Sequence, residues 1–435
     1  MCFFSHNDLY STNILPMYTP QLAGWLQFAG KKVLLLQGPH GPFFSRVAAG
    51  LLTSGARDVQ KVNFNGGDCF YYPTNSHAYT GTLADWPSYL ALFIQQHSID
   101  CIFVFGDCRP IHVQARTVAL AKGVQFWVFE EGYVRPNFIT LEQHGVNAHS
   151  SLPTGRSVYD AFSPVQTAKE IQVGSSFLSA AGYAVKYFTA AAVAWPIFWR
   201  YQHHRDLTML DGLRWARSYM RKVRYRAKEV NALRDLKPHG GGSYFLAVLQ
   251  VASDAQVTVH SPFESVADFI NDTVRSFAHH APKDTVLLIK HHPLDRGYSD
   301  YTHLVDELAH ANHLGNRVRY IHDQHLPTLL ENAQGVVTIN STVGFSALSH
   351  GTPVITMGKA IYNMQGLTCQ AGLEAFWANP HAYKPDLALH ARFRNYVTTH
   401  TQINGNFYVA LPDADADAAG LRWRVTPNRL AASAE

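Results

Sequence analysis

Two neighbouring glutamates, Glu130 and Glu131, close the aromatic run Gln125–Phe129 and are followed by Gly132. Adjacent carboxylates repel, so one of them holds its proton to higher pH and becomes suited to taking a proton from a hydroxyl. Gly132 lets the backbone turn sharply enough to present such a carboxylate to a cleft. The same acidic turn would equally serve as an ion-pair partner for Arg135. A third carboxylate, Asp254, ends the stretch Gln250-Val-Ala-Ser-Asp254 behind the apolar run Tyr244–Leu249. An aspartate in that place is also the residue that starts a helix. Facing each other across a cleft, Asp254 and a glutamate would supply the nucleophile and the acid/base of a retaining glycosyl transfer.

Anion-binding chemistry is legible at two further places. Lys290-His291-His292-Pro293 follows the apolar run Val286–Ile289, and its lysine and histidine suit a phosphate. Ser341-Thr342 precede the apolar stretch Val343–Leu348, so their hydroxyls and the amides of a helix start form an anion site or a simple cap. By contrast, Gly38-Pro39-His40-Gly41-Pro42 is a poor phosphate cradle, because its prolines lack amide donors and no Lys-Ser/Thr follows. It reads as a substrate-facing loop. The aspartates Asp413, Asp415 and Asp417 lie in an Ala/Asp-rich stretch that reads as a solvated loop, and His203-His204 and His279-His280 have no counterpart at metal-ligand spacing. The five cysteines, Cys2, Cys69, Cys101, Cys108 and Cys369, form no CxxC pair, which fits a reducing cytoplasm. No metal and no cofactor are expected.

The elements that must position these residues repeat one rhythm: a short apolar run, a polar or glycine-rich turn, then a helix-like stretch. In the first half the runs are Lys32–Leu36, Cys101–Phe105 and Gln125–Phe129; in the second they are Tyr244–Gln250, Val286–Ile289, Gly335–Ile339 and Pro353–Thr356. The expected fold is α/β, with two Rossmann-like lobes facing a cleft, and 435 residues are enough for two cores. Ligands of such sheets sit beyond the carboxyl ends of the strands, where every polar turn above falls. The expected divisions are an acceptor-side lobe over 1–173, a helical segment over 174–239, a donor-binding lobe over 240–380, and a C-terminal helix and tail over 381–435. Gly240-Gly241-Gly242 reads as a linker.

The segment 174–239 is apolar and then basic. Tyr187–Trp199 carries no charge but is shorter than the ~20 residues of a spanning helix. Arg200–Lys228 then holds nine basic residues against Asp206 and Asp211. That combination suits docking on an anionic membrane surface. Net charge, 36 basic against 32 acidic residues, is too small to argue for nucleic acid, and Met1–Pro20 lacks the features of a secretory signal.

Together the motifs resemble the capsule polysaccharide biosynthesis proteins that act as β-Kdo transferases, in particular those that start the Kdo linker on a phosphatidylglycerol lipid. The resemblance runs from Gly38–Phe44 through Asn63-Phe-Asn-Gly-Gly-Asp68, Phe105-Gly-Asp107-Cys-Arg109-Pro110 and Glu130-Glu-Gly-Tyr-Val-Arg135-Pro136 to Thr140-Leu-Glu142 and Gly145-Val-Asn147. In the second half Gln250–Asp254 is similar to the family's Q-x-x-x-D, His292-Pro293 to its HP motif and Ser341-Thr342 to its S-S/T motif. The resemblance implies a GT-B-like fold and a CMP-Kdo donor held by Gln250, Lys290, His292, Pro293, Ser341 and Thr342. It further implies Asp254 as nucleophile, Glu131 in preference to Glu130 as acid/base, and Gly38, His40, Asp68, Asp107, Arg109 and Arg135 on the acceptor side. It places the protein in the cytoplasm, peripheral on the inner membrane beside other capsule synthesis and export proteins. A sialyl or glycerophosphate transferase, or a non-catalytic export scaffold, would keep much of the same pattern.

Overall fold

A computed structural model describes residues 22, 24–203, 211–233, 236, 244–412 and 416–424. In chain order its strands are β1 (Lys32–Leu35), β2 (Asp58–Asn63), β3 (Ser76–Ala78), β4 (Cys101–Phe105), β5 (Gln125–Glu131), β6 (Phe138–Gln143), β7 (Tyr244–Val248), β8 (Val286–Lys290), β9 (Val318–Ile321), β10 (Gly335–Thr338), β11 (Val354–Thr356) and β12 (Gln402–Asn404). They form a seven-stranded sheet, β12-β6-β5-β4-β1-β2-β3, and a five-stranded sheet, β11-β10-β7-β8-β9. Helices cover both faces of each sheet's centre, which is why β4 and β7 are apolar at nearly every position instead of alternating. Val33, Leu34 and Leu35 of β1 are fully buried, and each such side chain contributes roughly 1.5–3 kcal/mol relative to exposure.

Both sheets carry the same order at their parallel core. In the first, β3-β2-β1-β4-β5 all run parallel, and in the second β9-β8-β7-β10-β11 repeat that arrangement. Each lobe therefore has one switch point, between β1 and β4 or between β7 and β10, where the chain changes direction of growth and a crevice opens. This is a GT-B-like α/β architecture of two Rossmann-like lobes.

Several elements differ from the expectation. The two glutamates do not lie in a turn; they are the last two residues of β5, paired antiparallel with Thr140 and Ile139 of β6. Gly132 behind them is packed against the chain, since a Cβ there would stand 2.1 Å from the Phe138 carbonyl oxygen. Lys290 likewise ends a strand. The C-terminal stretch is more than a helix and tail: the helix Leu387–His400 packs beside the helix Arg156–Ala161 and delivers β12 to the edge of the first sheet. Arg46 fastens the return by donating to the carbonyls of Asn406, Phe407 and Ala419. The first lobe is thus built from both halves of the chain.

The segment between the lobes is helical, over Phe177–Val193 and Asp211–Lys228. The first of these helices lies on the helix Gly66–Tyr71, where side chains at 66 and 67 would collide with it: a Cβ on Gly66 would stand 2.2 Å from the Ala190 carbonyl oxygen, and one on Gly67 2.6 Å from the Tyr187 ring. The second docks on the other lobe through Arg217, Arg221 and Tyr225, which contact Arg296 and Tyr298–Asp300. Among the described residues no helix is long and apolar enough to cross a membrane. The Gly240–Gly242 linker, His204, Asp413 and Asp415 lie outside the described residues.

Candidate active site

Strand alternation sends the Glu130 and Glu131 side chains to opposite faces of β5. Glu130 is the one whose carboxylate faces the first lobe's switch point, 3.6 Å from where a Cβ on Gly106 would stand, and it accepts a hydrogen bond from the Glu131 amide. Burial pushes its pKa up to about 7, with the charges of Glu131, Asp107 and Asp254 adding to the effect against that amide bond. Among the described residues Arg135 makes no ion pair with either glutamate; its guanidinium donates to the Gly132 carbonyl.

Asp254 follows β7 and stands across the cleft. Its Oδ1 accepts from the Gln256 amide at 2.9 Å, so it does start the short helix Ala255–Thr258. Capping does not remove it from the cleft, because its charge bears on both Glu130 and the Cys108 thiol of the opposite lobe. Gln250 is buried and forms a bracket with Asn340: its amide nitrogen donates to Asn340 Oδ1 at 3.0 Å, and the Asn340 backbone amide donates to Gln250 Oε1. The bracket joins the ends of β7 and β10, so Gln250 shapes the second switch point.

The anion-binding residues divide. Ser341 caps the helix Thr342–Ser349 by accepting from the Val343 amide, leaving Thr342 on the wall of a pocket with Tyr133, Asn147, Gln256, Asn340 and Lys359. His292 is half-buried and neutral, its pKa lowered to about 4 by burial and then by the nearby Arg135 and Lys290 charges. Its Nδ1 accepts from the Leu294 amide, while Pro293 is exposed. Lys290 is turned inward and donates to the His322 carbonyl at 2.9 Å, which makes it a brace for the end of β9. Arg135 on one lobe and His292 on the other therefore flank the same stretch of cleft.

On the acceptor side, Arg109 donates to Gln37 Oε1 and to the Gly38 carbonyl, fixing the Gly38–Pro42 loop to the end of β4. His40 lies 5.0 Å, ring to ring, from Tyr408 of the returning C-terminal stretch. Asp68 is buried and accepts from the Phe64 amide, Gln37 and Tyr187. Asp107 is also buried; burial alone would raise its pKa, but the hydrogen bond and charge of His149 and the Val146 amide outweigh that and lower it. Sequence reasoning missed Lys359, His149 and His260, and Tyr133 stood inside the Glu130–Pro136 motif without a role of its own. Glu142, read only as part of the Thr140-Leu-Glu142 motif, has a pKa that burial pushes up to about 7, and its carboxylate accepts from Tyr133 and Ser150. Lys359, His149 and His260 stand in no recognisable spacing; the cleft is what unites them.

Two Rossmann-like lobes, with carboxylates from both at their facing switch points and a polar pocket between, define a protein with a glycosyltransferase-like fold. The chain belongs to the capsule polysaccharide biosynthesis protein family, whose model matches residues 100–408. It is 43% identical over 382 residues to the Escherichia coli capsule polysaccharide export protein KpsS, covering 87% of this chain and 97% of that one. It is 39% identical over 389 residues to the Neisseria meningitidis serogroup A capsule polysaccharide modification protein LipB, covering 87% of this chain and 92% of the relative. Among solved structures it is similar to KpsC of Thermosulfurimonas dismutans, a beta Kdo 2,7 transferase, at 16% identity and a TM-score of 0.40, covering 84% of this chain and 94% of that one.

Proposed function

We propose that the protein transfers Kdo from CMP-Kdo to a phosphatidylglycerol-type lipid with retention, starting the linker on which a capsule polysaccharide is attached. The observation that carries the reading is the placement of Asp254 and Glu130 on opposite lobes, with the Asp254 charge among those that raise the Glu130 pKa. In the first step an Asp254 oxygen attacks the anomeric carbon and the bond to the phosphate oxygen breaks, the electron pair leaving with CMP. Arg135, His292 and the helix start behind Ser341 face the departing phosphate. In the second step Glu130 takes the proton of the lipid hydroxyl, whose oxygen attacks the anomeric carbon and returns Asp254 to a free carboxylate. The two steps require no cofactor. Glu130 takes this role in place of Glu131 because it is the carboxylate with the raised pKa and the cleft-facing side.

The helical segment supports a lipid acceptor. Phe177, Leu178, Val193, Trp195, Ile197 and Trp199 are exposed by 59–82%, and Lys222, Arg224, Arg226 and Lys228 are exposed on the basic helix. Apolar anchors beside cations suit the cytoplasmic face of the inner membrane, with other capsule proteins as neighbours. A donor screen tests the reading. CMP release from CMP-Kdo that depends on phosphatidylglycerol is the expected result; release from CMP-sialate or CDP-glycerol alone would assign another transferase, and release from none would leave a scaffold.

A further inference from the structure

We propose that Asp107, Cys108, His149 and His260 form a tetrahedral site for a divalent transition-metal ion, zinc by the chemistry of its donors, that ties the two lobes together at the floor of the cleft. One ligand atom from each of the four lies within 4.8 Å of all the others. Cys108 Sγ is 3.3 Å from Asp107 Oδ1 and 3.3 Å from His260 Nε2, and His149 Nδ1 is 2.9 Å from Asp107 Oδ2. Bonds of about 2.0–2.3 Å from zinc to oxygen, nitrogen and sulfur place tetrahedral ligands about 3.3–3.8 Å apart. Three of the separations already match or undercut those edges, and the widest, up to 4.8 Å, must shorten for the shell to close.

The scaffold around them is specific. Asp107 and Cys108 lie in the turn after β4, at the first lobe's switch point. His149 arrives on the loop after β6, which can approach because position 145 is glycine: a Cβ there would stand 2.6 Å from the His149 Cβ and 3.0 Å from Asp107 Oδ2. His260 comes from the second lobe, six residues beyond Asp254, and its carbonyl is held by the Lys359 amide and Asn340 Nδ2. The Val146 amide donates to Asp107 Oδ2, the kind of outer contact that orients a ligating carboxylate. Asp107 and His260 are 4% and 2% exposed, so a metal here would displace little water.

Electrostatics favour a cation in this place. The Asp107 carboxylate is itself a member of the cluster and is hydrogen-bonded to His149, and the carboxylates of Glu130 and Asp254 act on the same Cys108 side chain. A divalent ion would displace the thiol proton to solvent and bind the thiolate. One sulfur, two imidazole nitrogens and one carboxylate oxygen suit zinc; magnesium and calcium prefer oxygen shells. With a complete protein shell the ion is structural, and the proposal stands whatever sugar the cleft accepts.

The test reads metal directly and needs no activity. Full-length, tag-free protein from zinc-supplemented medium is expected to carry about one zinc per chain after dialysis, by elemental mass spectrometry. Cobalt loaded into the stripped protein should show the intense visible bands of a tetrahedral ion and a thiolate charge-transfer band in the near ultraviolet. Cys108→Ser should abolish the charge-transfer band, and His260→Gln, from the other lobe, should release the metal. Zinc at background level, an octahedral cobalt spectrum, or unchanged metal content in both variants would overturn the proposal. If either variant fails to fold by circular dichroism, the wild-type cobalt spectrum decides.

Discussion

Glu130 carries the sharpest consequence at the scale of single residues. Its pKa near 7 means that it is largely protonated below neutrality and gains base character as pH rises. Transfer should therefore show an acidic limb with an apparent pKa near 7 in kcat/KM, and Glu130→Gln should lower kcat by about 10²–10⁴-fold and erase that limb. Glu131→Gln, with its side chain on the other face of β5, should leave the limb in place; pH-rate profiles of the two variants separate them. Asp254→Asn should reduce turnover by on the order of 10³-fold or more, since a covalent route has no substitute for its nucleophile. The carboxylates were visible in the sequence as types, but their assignment was not. On sequence alone Glu131 is preferred, and only strand pairing with Thr140 and Ile139 fixes which face each glutamate takes.

Among the elements, the helix Phe177–Val193 depends on two glycines of the helix it covers. Gly66→Val would put side-chain atoms onto the Ala190 carbonyl and should cost about 1–3 kcal/mol, read by urea unfolding. The outer surface of the same segment makes a separate prediction. Reversing Lys222, Arg224 and Arg226 to glutamate should weaken binding to phosphatidylglycerol liposomes by on the order of 10²-fold or more in flotation, at about 1 kcal/mol for each lost cation. Wild-type protein remaining in the soluble fraction would sink the docking surface.

What the sequence revealed at this scale follows from burial. Fully apolar runs such as Cys101–Phe105 and Tyr244–Val248 announced the central strands. β2 was hidden because Gln60, Lys61 and Asn63 are polar yet buried, with partners that the fold supplies, such as the Tyr72 carbonyl, to which Asn63 Nδ2 donates at 3.0 Å. β12, three residues long, exists only because β6 offers it an edge. The cross-lobe cluster was illegible for the same reason: Asp107, Cys108, His149 and His260 span both halves of the chain, and their grouping is a property of the cleft.

At the scale of the whole molecule the two lobes are less separate than their repeated topology suggests. One core runs from Tyr133, Phe138 and Tyr159 of the first lobe into Tyr244, Leu246 and Phe345 of the second, with the helix Leu387–His400 across it. That helix buries His390 and His400 as neutral imidazoles, their pKa values lowered to about 4 by burial. Below the unfolded value near 6.5 the unfolded chain binds these protons and the folded one resists them, so stability present above pH 6.5 is lost as pH falls toward 4. Each histidine accounts for about 3 kcal/mol of that loss. Thermal unfolding across this window should show a flatter acid limb in His400→Gln than in the wild type.

The central claim is that the cleft between these lobes moves Kdo onto a lipid. Mass spectrometry of phosphatidylglycerol after incubation with CMP-Kdo and the protein tests donor, acceptor and sugar number at once. The account predicts lipid heavier by Kdo, formed by the wild type and absent with Asp254→Asn. Unmodified lipid from active, folded protein, or the same product from the variant, would contradict it.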